Sequence, residues 1–192
     1  MEWYLTKGKM MLKKMGVLLL ALGLLTNFAN GHADSTNEVI SSHQGNFTID
    51  LPKGFQKPEY TMTPVKTEVG EIKTLNYISY ADTGACMVGM SEYPPQLVAL
   101  IDQKQDEVLK GAQEGALRNM GAKVINESSL TVDKLSAREA TFVSSTDAQP
   151  LYGKMRLISS MPRLYHILYL TDKEENLNNP EVDSFFGSFK IL

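Results

Sequence analysis

The sequence predicts an α+β protein in which an antiparallel β-sheet is flanked by helices. Three observations carry this. Short stretches with period-two alternation recur on both sides of one long stretch with helical spacing. One strand near the C-terminus is apolar on both faces, and a Pro- and Phe-containing closing segment reads as a short helix.

Before the fold begins, residues 1–33 read as a Sec-type export signal. A basic stretch ending Lys13-Lys14 runs into the apolar block Gly16 to Leu25, and Gly31-His32-Ala33 places small residues three and one before a cut. The apolar run is about half of the ~20 residues that a membrane-spanning helix needs, so a cleaved leader is expected. Met1, Met10 and Met11 are all compatible starts, because export survives each choice. No cysteine follows the cut, so no lipid anchor is expected, and the mature chain should be periplasmic or secreted. Residues 34–45 are polar with little periodicity and are expected to form a flexible tether. Residues 46–192 are expected to form one domain.

Removing the leader takes away Lys7, Lys9, Lys13, Lys14 and Glu2, which leaves 15 basic against 21 acidic side chains and a net charge of −6. No nucleic-acid partner is therefore expected, since phosphate neutralisation needs clustered Lys and Arg. The span is long enough to bury a core without crosslinks, and with Cys86 alone no internal disulfide can form. Cys86 lies in the apolar run Ala85 to Val88 with no flanking base, which points to a buried thiol and not a nucleophile.

Along the domain, Phe47, Ile49 and Leu51 alternate with polar residues, and Pro52-Lys-Gly-Phe55 turns the chain. Val65 to Val69 and Ile72 to Ala81 flank Gly70-Glu71 as a hairpin. A second hairpin pairs Leu75–Ala81 with Ala85–Tyr93 across Asp82-Thr83-Gly84 and is ended by Pro94-Pro95. Between Gln96 and Asn119, Leu97, Ile101, Val108, Ala112, Ala116 and Met120 form one stripe of a single long helix, with Gly121 as its left-handed cap. Strands follow at about Lys123–Thr131, Ala137–Ser145, Tyr152–Met161 and Arg163–Thr171. In the last, Leu164, His166, Leu168 and Leu170 face one side and Tyr165, Ile167 and Tyr169 the other. Such a strand belongs in the middle of a sheet covered on both sides, with the closing segment as the second cover. There Asn179 caps a helix with Pro180 in its first turn, and Val182, Phe185, Phe186 and Phe189 supply the buried face.

The opening F-x-I-x-L-P-x-G-F (Phe47 to Phe55), the central amphipathic helix, the antiparallel strands and the closing F-F-x-S-F-x-I (Phe185 to Ile191) resemble the PsbP-like α/β/α sandwich. The resemblance covers most of residues 46–192. It implies that fold and an extrinsic, non-enzymatic role in assembly or binding; no functional site of a family member is matched residue by residue.

No constellation for catalysis, cofactor or metal binding emerges. His166 in the core and His43 in the tether make a poor metal pair. Asp172, Glu174, Asn176 and Asn178 imitate a calcium loop, but Leu177 takes the place of the required glycine and Asp183 that of the bidentate glutamate. Gly89-Met-Ser-Glu-Tyr93 lacks the last glycine of the serine-hydrolase elbow. The sequons at Asn46 and Asn126 would matter only in a host that glycosylates exported proteins. What stands out is Tyr and Met on strands, because such side chains build adaptable surfaces as well as cores. Tyr77, Tyr80, Tyr152, Tyr165 and Tyr169 are the candidate binding surface. The function expected is exported, non-enzymatic binding of a protein partner in the cell envelope. The alternatives are a carrier of a small apolar ligand held between sheet and long helix, and a hydrolase of unrecognised type.

Overall fold

The apolar strand near the C-terminus is the middle of everything. In the computed structural model, which describes residues 38–67, 70–102, 104–144 and 150–192, it is the fourth strand of a seven-stranded antiparallel sheet. In chain order the elements are β1 (Val39–Ser42), β2 (Phe47–Asp50), β3 (Glu59–Thr67), β4 (Gly70–Ala81), β5 (Gly84–Glu92), α1 (Pro95–Asp102) and α2 (Gln105–Asn119). They continue with β6 (Ala122–Val132), β7 (Leu135–Ser144), β8 (Leu151–Ser160), β9 (Arg163–Thr171), a 3-10 turn (Glu174–Asn178), α3 (Pro180–Gly187) and β10 (Lys190–Ile191). The large sheet runs β3-β4-β5-β9-β8-β7-β6, and a small sheet runs β1-β2-β10. The expected α+β sandwich is the observed fold. The expected leader, residues 1–33, and the first residues of the expected tether, 34–37, lie outside the described residues.

Each face of β9 buries against a different layer. Leu164 packs with Leu97, Val108, Leu109 and Ala112, and Leu168 and Leu170 pack with Ala116 and Leu117, so α1 and α2 form one cover. On the reverse, Tyr165, Ile167 and Tyr169 join Cys86, Val88 and Met90 under Ile40, Phe47, Ile49, Phe185, Phe186 and Phe189. Phe47 sits at the centre of this second cover. Its ring meets Tyr165 edge-on at 6.1 Å and stacks on Phe189 at 5.8 Å, both productive aromatic geometries. Cys86 is fully enclosed here, and burial pushes its thiol up, which removes it as a nucleophile.

Three expectations require correction. First, the second cover is more than the closing segment. Val39–Ser42, placed in the tether, is β1; it pairs with β2 and buries Ile40 and Ser42. Second, the first strand of the large sheet begins at Glu59 and not at Val65, and it runs through Pro64. Proline is tolerated because β3 is an edge, where a missing N–H breaks no ladder. Third, the helix over Gln96–Asn119 is two helices, with Lys104 at φ −140° and ψ 35° beginning the second. Leu97 of the first helix and Val108 of the second both join the cluster around Leu164, so both helices cover the same face of the sheet.

Other local expectations hold. Gly121 adopts φ 60° and its N–H donates to the Arg118 carbonyl, ending α2 as a left-handed cap. Asn179 Oδ1 accepts from the Glu181 N–H at 3.0 Å, with Pro180 first in α3. Asp133 and Lys134, at φ 47° and 71°, make the two-residue turn between β6 and β7. The segment once comparable to a calcium loop is a 3-10 turn: Leu177 is buried and Asn176 Nδ2 donates to Thr171 Oγ1 at 3.0 Å.

Charge fastens α3 to the sheet. Arg156 Nε donates to Glu139 Oε2 at 2.8 Å and its Nη1 to the Phe186 carbonyl at 2.8 Å, while Lys154 Nζ lies 2.9 Å from Asp183 Oδ1. Both cations sit over the Phe186 ring, at 5.1 and 5.3 Å.

Because Phe47 is fully buried and bridges the small sheet to β9, Phe47→Ala should destabilise the protein by about 3–5 kcal/mol. Urea unfolding measures this; a loss below about 1 kcal/mol would show that the second cover does not hold the sheet.

Candidate binding site

The strand alternation that made the tyrosines conspicuous also decides their fate. Tyr165 and Tyr169 are 1% and 2% exposed, in the core beneath the second cover, so neither belongs to a surface. Tyr169 Oη donates to the Thr83 carbonyl at 3.2 Å and its ring contacts Phe55. Tyr80 lies on the helix-covered side of β4, opposite to Tyr77; burial first and the Glu59 carboxylate second raise its phenol above the ordinary value. Tyr152 packs at the rim of the second cover on β8, three strands and about 14 Å from Tyr77 on β4. The five therefore do not converge, for two are interior and the rest are dispersed.

Tyr77 has other company. Its ring packs against Phe47 at 5.9 Å and Tyr60 at 5.3 Å, and its hydroxyl donates to Ser42 Oγ at 3.1 Å. Tyr60 and Met62 on β3 are 47% and 51% exposed. Gln44, in the turn between β1 and β2, holds both: its Oε1 accepts from Tyr60 Oη at 3.0 Å, and its Nε2 donates to Met62 Sδ at 3.1 Å. An apolar, sulfur- and aromatic-bearing patch thus stands half out of water on the outermost strand, with its side chains steadied from below. Such residues combine large contact area with a polar tip, the composition that interface cores favour. Tyr60 and Met62 escaped the sequence reading because Pro64 interrupts their alternation.

The second polar feature lies under the helices. His166 Nε2 is 2.7 Å from Asn76 Oδ1, reached across Gly89, which pairs with both residues in the ladder. A Cβ on Gly89 would lie 2.6 Å from His166 Nε2 and 2.1 Å from the Leu75 carbonyl oxygen, so the ring occupies the room that glycine leaves. With the amide oxygen accepting, Nε2 carries the proton, and Nδ1 is buried with no partner among the described residues. Burial pushes the imidazole down to about 4, so it is neutral at physiological pH. A cavity of about 10 Å³ bordered by Met87, Ala116, Met155, Leu157 and His166 lies beneath α2. It has room for about one water and none for the carbon skeleton of a carried ligand. Among the described residues no three His, Cys, Asp or Glu side chains gather as metal ligands, and no helix is long and apolar enough to cross a membrane.

Compared with solved structures, the chain is similar to cyanobacterial PsbP (CyanoP) from Synechocystis. That solution structure aligns over 88% of this chain and 99% of its own, with 14% identity and a TM-score of 0.50. LpqN of Mycobacterium tuberculosis, described as involved in cell envelope biogenesis, aligns over 81% of this chain and 90% of its own, with 14% identity and a TM-score of 0.42. No protein-family model matches the chain, and no curated protein matches its sequence. The fold is PsbP-like, in agreement with the resemblance seen in the sequence.

Two outcomes test the interior site. Gly89→Ala should destabilise the sheet by more than about 2 kcal/mol in urea unfolding, since backbone and ring would both have to move; near-neutrality would show the ring is not confined. His166 is depressed in the folded state relative to its ordinary 6.5, so the unfolded chain binds the extra proton. Its contribution is constant above about pH 6.5 and is lost progressively as pH falls toward 4, on the order of 2 kcal/mol between pH 7 and pH 5. His166→Gln should flatten that slope, and an identical pH profile for the variant would refute a neutral buried imidazole.

Proposed function

We propose that this chain is an exported, non-enzymatic domain of the cell envelope that binds a protein partner. The single observation that carries the reading is the patch of Tyr60 and Met62 on the outermost strand, backed by Tyr77 of β4 and Gln44 of the β1–β2 turn. Tyr60 and Met62 are exposed yet held in place by Tyr77 and Gln44, so little ordering entropy remains to be lost on association. The leader-like residues 1–33 support the compartment, and the role that the PsbP-like resemblance implies supports a partner-binding function over catalysis.

Capture by the mature chain from envelope extract of its native cell, with mild crosslinking, should recover a stoichiometric partner. Tyr60→Ser should lower recovery about tenfold, as loss of an aromatic anchor does, while Tyr152→Ser, remote from the patch, leaves it unchanged. Absence of any stoichiometric partner, or equal recovery by Tyr60→Ser, would overturn the assignment.

A further inference from the structure

We infer that the partner enters as an extended segment that adds a strand to β3 over Glu59–Thr63, a deepening that rests on the protein-binding reading above. The argument begins with a proline. β3 and β4 pair without a register break from Glu59 opposite Ile78 to Thr67 opposite Gly70, and Pro64 stands opposite Lys73. Having no N–H, Pro64 cannot occupy a position that donates to β4, so it belongs to the class whose backbone groups point away from β4. The period of two puts Tyr60 and Met62 in the same class. Among the described residues β4 is the one strand paired with β3, so the N–H and C=O groups of Tyr60 and Met62 form an open ladder about 7 Å long.

That ladder is bounded at both ends. Pro64 removes the next donor toward the hairpin, and Pro58, one period before Tyr60, removes the preceding one. Lys66, beyond Pro64, adds a charge of the kind that guards edges. An edge protected against indefinite pairing but left open over five residues is suited to one short strand, and backbone groups in a row select an extended chain over a helix or a fold surface. The side chains define its chemistry. Tyr60 and Met62 share one face and favour apolar residues at alternate positions. Glu59, exposed on the other face of β3 in a span of net charge −6, favours lysine between them.

The test uses a synthetic octapeptide alternating valine and lysine, blocked at both ends, with amide hydrogen exchange of the mature chain. Bound peptide should slow exchange at Tyr60 and Met62 at least tenfold. Met62→Thr, which keeps the N–H and the strand preference, should retain most of that protection; Met62→Pro, which keeps the pairing with β4 but deletes the outward donor, should abolish it. Tyr60→Pro, in the same ladder class, serves if Met62→Pro does not fold. Unprotected amides at millimolar peptide, or equal loss in Met62→Thr and Met62→Pro, would overturn strand addition. If envelope capture by the mature chain then persists and still depends on Tyr60, the protein-binding reading stands while strand addition falls.

Discussion

Everything in this fold follows from one strand that is apolar on both faces. β9 buries Leu164, Leu168 and Leu170 on one side and Tyr165, Ile167 and Tyr169 on the other, so neither face can meet water and two covers are obligatory. One cover is local, the α1–α2 pair inserted between β5 and β6. The other is assembled from the two ends of the described chain. β10 pairs with β2, Leu192 N–H donates to the Asn46 carbonyl at 3.1 Å, and Asp50 N–H donates to Ser188 Oγ at 2.9 Å. Closing this cover requires contacts more than a hundred residues apart in sequence, which makes it the non-local part of the structure.

The same constraint creates the candidate site. A sheet seven strands wide is broader than the small sheet that lies across it, and the border of that cover falls at Tyr77 and the turn carrying Gln44. Just outside it stand Tyr60 and Met62, on a strand with one paired neighbour among the described residues. The patch is thus the exposed continuation of the aromatic core, linked through Tyr77 to Phe47 and from there to Tyr165. A ligand at the edge would rest on a rigid layer.

Much of this was legible because local chemistry and tertiary role agree. The Asn179 cap, the Gly121 stop, the Asp133-Lys134 turn and the two-faced β9 each state their structure in a few residues. The rest depended on partners. β1 offers one buried apolar side chain, Ile40, amid serines, so its strand character comes from pairing with β2. Tyr165 and Tyr77 look alike in alternation and face the same layer, yet one is sealed by Phe47 and Phe189 and the other stays half-buried, a difference set by where the second cover ends. The break at Lys104 left no mark on the helical stripe, because the stripe continues across it. Pro64 fits within β3 because that strand is an edge, where a missing N–H breaks no ladder.

The claim that two covers hold β9 is tested most directly by comparing the chain starting at residue 38 with the chain starting at residue 46, by urea unfolding. Losing β1, with Ile40, should lower stability by at least about 2 kcal/mol and expose the Phe47 cluster. Equal stability and equal cooperativity for the two chains would contradict it.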